Sequence, residues 1–161
     1  MKDFSKEEVQ AALRQMAPLK APGPDGLSAD FFLDNWDTVG EEVCQIVLYA
    51  LNSGVMNKRM NFTYIALIPM VKSPEKVYDF RPISLCNVIY KMVSKVLANR
   101  LKVWLPKIIS PYQSAFIQGR LITNNIIAAY ETLHTMHSKM YGKKGYMAVK
   151  LDMSKAYDKV E

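Results

Sequence analysis

Acidic side chains are missing from the middle of this chain. Between residues 81 and 130 stand seven cations (Arg81, Lys91, Lys95, Arg100, Lys102, Lys107 and Arg120) and no aspartate or glutamate. A stretch of one sign reads either as a solvated helix face or as a surface for a polyanion, with room for several phosphate contacts. Cysteine is also scarce. Cys44 and Cys86 lie far apart in apolar surroundings, which argues against a disulfide framework and for a reducing compartment. No uninterrupted apolar run approaches the roughly 20 residues that span a bilayer, and Met1-Lys2-Asp3-Phe4-Ser5 lacks the apolar centre of a signal peptide. The expectation is a soluble intracellular protein, nuclear or cytoplasmic, with no membrane partner. His134 and His137 sit three apart with no third ligand nearby, so a histidine metal site is not expected.

What is present is ordinary globular material: 161 residues, 50% hydrophobic, with a net charge of +6. That is enough for one modest domain with a core. Ser5-Lys6-Glu7-Glu8 is a capping box, and Phe4 and Val9 are spaced as a hydrophobic staple. The helix that follows places Val9, Leu13 and Met16 on one stripe and ends at Pro18. Lys20-Ala21-Pro22-Gly23-Pro24-Asp25-Gly26 holds two prolines and two glycines and must be a loop. Ser28 caps a short helix through Phe31, Phe32 and Trp36, and a second helix runs from about Gly40 to Asn52, stopped by Ser53-Gly54.

Phe62 to Ile68 and Tyr78 to Leu85 read as two strands around a turn that carries Lys72 and Lys76. Pro82 implies an edge or distorted strand. Asn87 to Leu105 is the longest helical pattern, with Ile89, Val93, Val96, Leu97, Leu101 and Trp104 on one face and Lys91, Lys95 and Lys102 on another. Such lysines suit phosphate contact and carry no sequence readout. Pro106 and Pro111 bound a loop, and a last helix is expected from about Asn125 to Met140.

The chain's organising stretch comes at its end. An apolar run from Tyr146 leads into Leu151-Asp152-Met153-Ser154-Lys155-Ala156-Tyr157-Asp158-Lys159-Val160, a strand that delivers Asp152 at a turn. A carboxylate there reads either as the cap of the next helix or as the ligand of a divalent metal in phosphoryl transfer.

That stretch resembles the first catalytic motif of reverse transcriptases, in the form carried by non-LTR retrotransposons (LINE elements), closest to plant ones. Three upstream blocks resemble the same family, in the family's order: Lys20 to Gly26, Phe80-Arg81-Pro82-Ile83-Ser84-Leu85, and Gln113-Ser114-Ala115-Phe116-Ile117-Gln118-Gly119-Arg120. The fold class implied is α+β, the helix-rich fingers and first palm strand of a right-hand polymerase. Residues 1–145 would be fingers-like and 146–161 the first palm strand with the catalytic motif.

The resemblance also implies roles. Asp152 would be the catalytic metal ligand, joined by the backbone carbonyl of Met153, with Mg2+ or Mn2+ as cofactor in a completed site. Arg81 and Lys72 would hold the triphosphate of a deoxynucleoside triphosphate, the planar arginine fork suiting phosphate oxygens. Tyr157 takes the steric-gate position against a ribose 2′-OH. Lys20, Gly23, Gly26, Lys91, Lys95, Gln113, Gly119 and Arg120 would contact nucleic acid, an RNA template with its DNA primer. Two positions depart from the family. Met70 stands where a lysine is usual, with Lys72 two residues on, and Asn124 stands where an acid is usual.

No two adjacent aspartates occur, whereas the family's second motif carries such a pair, and one carboxylate cannot hold two metals. The chain thus reads as the N-terminal part of a reverse-transcriptase domain whose missing palm and thumb belong to the same polyprotein. Alone it is expected not to extend a primer. The alternatives are a catalytically inactive remnant that binds RNA or RNA–DNA hybrid, and a helical domain whose apolar surface recruits a partner.

Overall fold

Caps and apolar spacing decide where the helices begin and end. The computed structural model describes residues 3–114, 117–138, 147–149 and 151, in two compact units that divide between Trp104 and Leu105. The elements are α1 (Lys6–Arg14), α2 (Ala29–Asp34), α3 (Trp36–Ser53), α4 (Lys58–Asn61), β1 (Thr63–Pro69), β2 (Phe80–Cys86), α5 (Val88–Ile108) and α6 (Ile122–Ser138). Helices with one antiparallel two-stranded sheet among the described residues agree with the α+β expectation. Among the described residues no helix is long and apolar enough to cross a membrane.

In the first unit α1 starts as expected. The Ser5 backbone N–H donates to Glu8 Oε2 at 2.9 Å, so the acid of the capping box satisfies one of the donors that a helix start leaves over. Glu8 has a second task. Arg100 of α5 donates to it through Nε at 2.7 Å and Nη2 at 2.8 Å, and Nη2 also reaches the Asp3 carbonyl at 2.7 Å. The guanidinium lies 3.6 Å from the centre of the Phe4 ring, a stacked cation that ties the chain's start to α5.

Ser28 accepts from the Phe31 N–H at 3.3 Å and caps α2. The next helix begins at Trp36, four residues earlier than the spacing around Gly40 suggests. The Asn35 carbonyl accepts from both Thr38 and Val39, each at 3.0 Å, so the first turn of α3 closes around Trp36. Gly54 then ends α3 at φ +70°, the left-handed cap that glycine adopts without strain.

These helices enclose one small core. Val9, Ala12 and Leu13 of α1 meet Phe32 of α2, Val43, Cys44 and Val47 of α3, and Val88, Met92, Val93 and Val96 of α5. Only the first half of α5 takes part. Leu97, Leu101 and Trp104, expected on the same buried face, are 49%, 52% and 56% exposed. The helix also runs through Pro106 to Ile108 instead of ending there. A proline near a helix end forfeits one backbone bond, and the ladder resumes with Ile109 N–H donating to the Leu105 carbonyl at 2.9 Å.

The two cysteines differ accordingly. Cys44 is buried in the core, and burial pushes its thiol up from the ordinary value, so thiolate is scarce there at neutral pH. Cys86 is half-buried and accepts a weak bond from Thr63 Oγ1 at 3.6 Å. A thiol reagent at neutral pH is therefore expected to label Cys86 at least about tenfold faster than Cys44. Denaturant should equalise the two rates. Equal rates in the native protein would contradict this core.

The strands pair in a register that sets Thr63 opposite Cys86 and Ile68 opposite Arg81. Met70 N–H donates to the Asp79 carbonyl at 2.7 Å, and the Asp79 carboxylate accepts from the backbone of Glu75 and Lys76 at 3.0 and 2.9 Å. The strand ends at Pro69, so Lys72 lies in the connecting bend, as the sequence reading of a turn there expects. Tyr64, Ile65, Leu67, Ile68 and Ile83 are exposed, and in antiparallel pairing they fall on both faces of the ribbon.

Candidate nucleic-acid interface

A loop with two prolines and two glycines has few backbone bonds of its own, and its shape is set by what it leans on. Here the Lys20–Gly26 segment leans on the junction between β2 and α5. Gly23 is buried, and a Cβ built on it would come within 2.3 Å of Asn87 Oδ1, 2.5 Å of Asn87 N and 2.6 Å of the Cys86 carbonyl carbon. No other residue fits so close an approach. Asn87 Oδ1 accepts from the Asp25 N–H at 3.3 Å. Lys91 Nζ donates to the Ala21 carbonyl at 3.3 Å, seventy residues away in sequence. The Asp25 carboxylate closes the turn by accepting from Leu27 N–H at 3.1 Å, and Gly26 N–H donates to the Gly23 carbonyl at 3.0 Å.

The result is a basic cleft of about 220 Å³ whose wall includes Lys20 of the loop and Lys91 and Lys95 of α5, over a floor of Met16, Ala17, Ala29 and Val88. One turn of helix separates Lys91 from Lys95, so both ammonium groups leave α5 on one side. The i, i+4 spacing made that pair legible in sequence. Nothing in the spacing placed Lys20 beside them. Asn87, read from sequence only as the start of a helix, is the residue that joins loop and helix; an amide-bearing residue just before a long apolar-periodic stretch was the available signal.

Arg81 is exposed on β2 opposite Ile68, and Lys72 is exposed in the bend. Neither side chain makes a hydrogen bond or ion pair with another described residue.

The second unit carries the other candidates. Ser114 is buried and donates to Asn125 Oδ1 at 3.0 Å. The Arg120 guanidinium donates to the carbonyls of Ser110, Gln113, Pro106 and Ile109, the last three at 2.7, 3.2 and 3.3 Å, so it staples the end of α5 to the loop that follows. Gln113 thus takes part through its carbonyl, and Gly119 precedes the staple at φ +81°. The last helix starts at Ile122 and not near Asn125, which puts Asn124 inside its first turn instead of at a cap. Ile122, Ile126, Tyr130 and Leu133 form an apolar stripe along α6, each more than half exposed. The His134 ring stacks on Tyr130 with centroids 6.2 Å apart.

Asp152, Met153 and Tyr157 lie outside the described residues. Among the described residues no group of three His, Cys, Asp or Glu side chains is placed to hold a metal ion.

Comparison with known proteins places this sequence in a family. Residues 72–161 match the family model described as reverse transcriptase (RNA-dependent DNA polymerase). An uncharacterized 149 kDa protein of transposon TX1 from Xenopus laevis is 31% identical over 158 residues, which cover 96% of this chain and 12% of that protein. The retrovirus-related Pol polyprotein of the type-1 retrotransposable element R2 from Popillia japonica is 26% identical over 159 residues, 98% of this chain and 20% of the polyprotein. That of the type-2 element R2DM from Drosophila melanogaster is 25% identical over 166 residues, 97% of this chain and 15% of its own length. The chain therefore spans a fifth or less of these relatives, and the Lys20–Gly26 loop, which precedes the family match, falls within the stretch they share. With more than half of its residues matched by the family model, the chain belongs to the reverse transcriptases, and its sequence covers part of the reverse-transcriptase domain of non-LTR retrotransposon Pol proteins.

Proposed function

We propose that this part of the domain grips nucleic acid as the fingers of a right-hand polymerase, with residues 1–145 as fingers and 146–161 as the first palm strand. Its ligand is an RNA template paired with a DNA primer. The observation that carries the reading is the cleft: Lys20, Lys91 and Lys95 come from segments far apart in sequence and line one wall, within reach of a segment that holds no acidic residue. Cations that converge without a carboxylate to neutralise them attract phosphate backbone independently of sequence.

Beside this grip, the exposed Arg81 and Lys72 supply donors for the triphosphate of an incoming deoxynucleotide, and Tyr157 guards its sugar. Reverse transcriptases use a divalent cation, and a carboxylate such as Asp152 is the hard oxygen donor that Mg2+ takes. The other ligands come from elsewhere in the polyprotein, since the described residues supply no cluster for it. The exposed apolar residues of the hairpin and of α6, and the half-exposed Leu97 and Leu101 of α5, support packing against those further parts.

Titrating a labelled single-stranded RNA oligonucleotide with the 161-residue chain at rising salt tests the grip. Affinity is expected to fall with log salt at a slope of about −2 to −3, as about three or four displaced counterions require. Absence of any shift at low salt would leave the partner-recruiting alternative in its place.

A further inference from the structure

We infer that Asn87 is a positioning residue, whose carboxamide holds the Lys20–Gly26 loop and the end of α4 against the start of α5 so that the three lysines line one cleft. The inference rests on the nucleic-acid reading for its function and on geometry for its mechanism. One side of the amide faces the loop, where Oδ1 accepts from Asp25 N–H at 3.3 Å. The other faces α4, where Nδ2 donates to the Arg59 carbonyl at 3.4 Å. The backbone of the same residue opens α5, its carbonyl accepting from Lys91 N–H at 3.1 Å. Three chain segments that share no regular structure thus meet at one side chain.

Its neighbours leave little freedom in how they meet. The space a side chain at Gly23 would need is already filled by Asn87 itself, so the loop sits against the amide at van der Waals distance with its backbone aimed at it. An amide is the group suited to this position, because it offers an acceptor and a donor from one plane. Leucine would fill the volume and satisfy neither partner, and aspartate would satisfy only the loop. Both bonds are long, so each is weak alone, and their value is directional. They decide where Lys20 stands relative to Lys91, whose own Nζ already holds the Ala21 carbonyl. Arg81, six residues before Asn87 on β2, hangs from the same junction, so the amide also fixes where the hairpin leaves the helical core.

Amide hydrogen exchange and RNA titration of the 161-residue chain test this, using Asn87→Ala, Asn87→Asp and Lys95→Gln. In Asn87→Ala the Asp25 amide should exchange about fivefold faster, the loss of one net hydrogen bond, while α1 and α3 amides keep their rates. RNA affinity should fall about three- to fivefold with the salt slope unchanged, since every cation is still present. Asn87→Asp keeps the acceptor and the capping ability, so the Asp25 amide should stay protected while those of Met60 and Asn61 at the end of α4 quicken. Lys95→Gln should flatten the salt slope and leave Asp25 protected. Unchanged Asp25 exchange in Asn87→Ala would overturn the positioning role, as would an even acceleration across all helices. Failure of Lys95→Gln to alter binding would instead count against the nucleic-acid reading, with the exchange result for Asn87 still standing.

Discussion

Truncating Met92 to alanine is expected to destabilise the first unit by about 2–5 kcal/mol, the cost of removing a long buried side chain from a core that cannot fully collapse. Met92 is fully buried at the place where α5 faces the helices packed before it, among Val9, Leu13, Val43, Val47 and Val96. The core is small and made largely of valine and alanine, whose short side chains cannot reach into the space that a lost thioether leaves. Urea unfolding followed by far-UV circular dichroism measures the effect as a fall in the midpoint at unchanged slope. Leu101→Ala on the same helix provides the contrast: Leu101 is half exposed, so its loss should cost under about 1 kcal/mol. Equal costs at the two positions would mean that the apolar face of α5 is buried along its whole length, as its sequence periodicity alone suggests.

That contrast shows where sequence reading stops. The periodicity of α5 continues past Val96 because residues are chosen for a buried face, but periodicity cannot name what buries it. Here Leu97 and Leu101 stay about half exposed among the described residues, as do apolar residues on both faces of the β1–β2 ribbon. A two-stranded ribbon is marginal by itself, so its two strands and turn were legible from the β-branched residues while its packing was not. Caps were legible for a related reason. Ser5, Ser28 and Gly54 act through bonds or dihedrals within a few residues, a range that sequence conveys directly.

Charges were the harder case. Seven cations without an anion between residues 81 and 130 look interchangeable in sequence. In the structure Arg100 is committed to Glu8, Asp3 and Phe4, and Arg120 to four backbone carbonyls. Arginine's fork satisfies carbonyls and carboxylates of the chain as readily as phosphates, and only the partner at hand decides which. The anion that pairs with Arg100 lies 92 residues away, outside any window in which local charge can be balanced. Lys91 gives one bond to the Ala21 carbonyl and lines the cleft with Lys95, and Lys20 joins them because Gly23 and Asn87 let its loop fold back.

Neutralising the cleft is the change expected to affect binding most. With Lys20, Lys91 and Lys95 all replaced by glutamine, the salt slope for single-stranded RNA should flatten by about 2, as three phosphate contacts at about 0.7 each require. Affinity at low salt should fall about thirtyfold. Net charge alone would also weaken binding, so the comparison that decides is a second triple variant, Lys6→Gln, Lys58→Gln and Lys76→Gln, with the same loss of charge. None of these three lines the cleft: Lys6 pairs with Glu41 at 2.7 Å, Lys58 stands on α4, and Lys76 lies over the Tyr78 ring. Screening beyond about 10 Å at 0.1 M salt separates local from global charge, so at that ionic strength the control variant should bind within about threefold of the parent. Equal losses in the two variants would mean that RNA senses only the protein's overall positive field. A loss confined to the cleft variant would mean that a loop near the start of the chain and a helix seventy residues later grip one strand together.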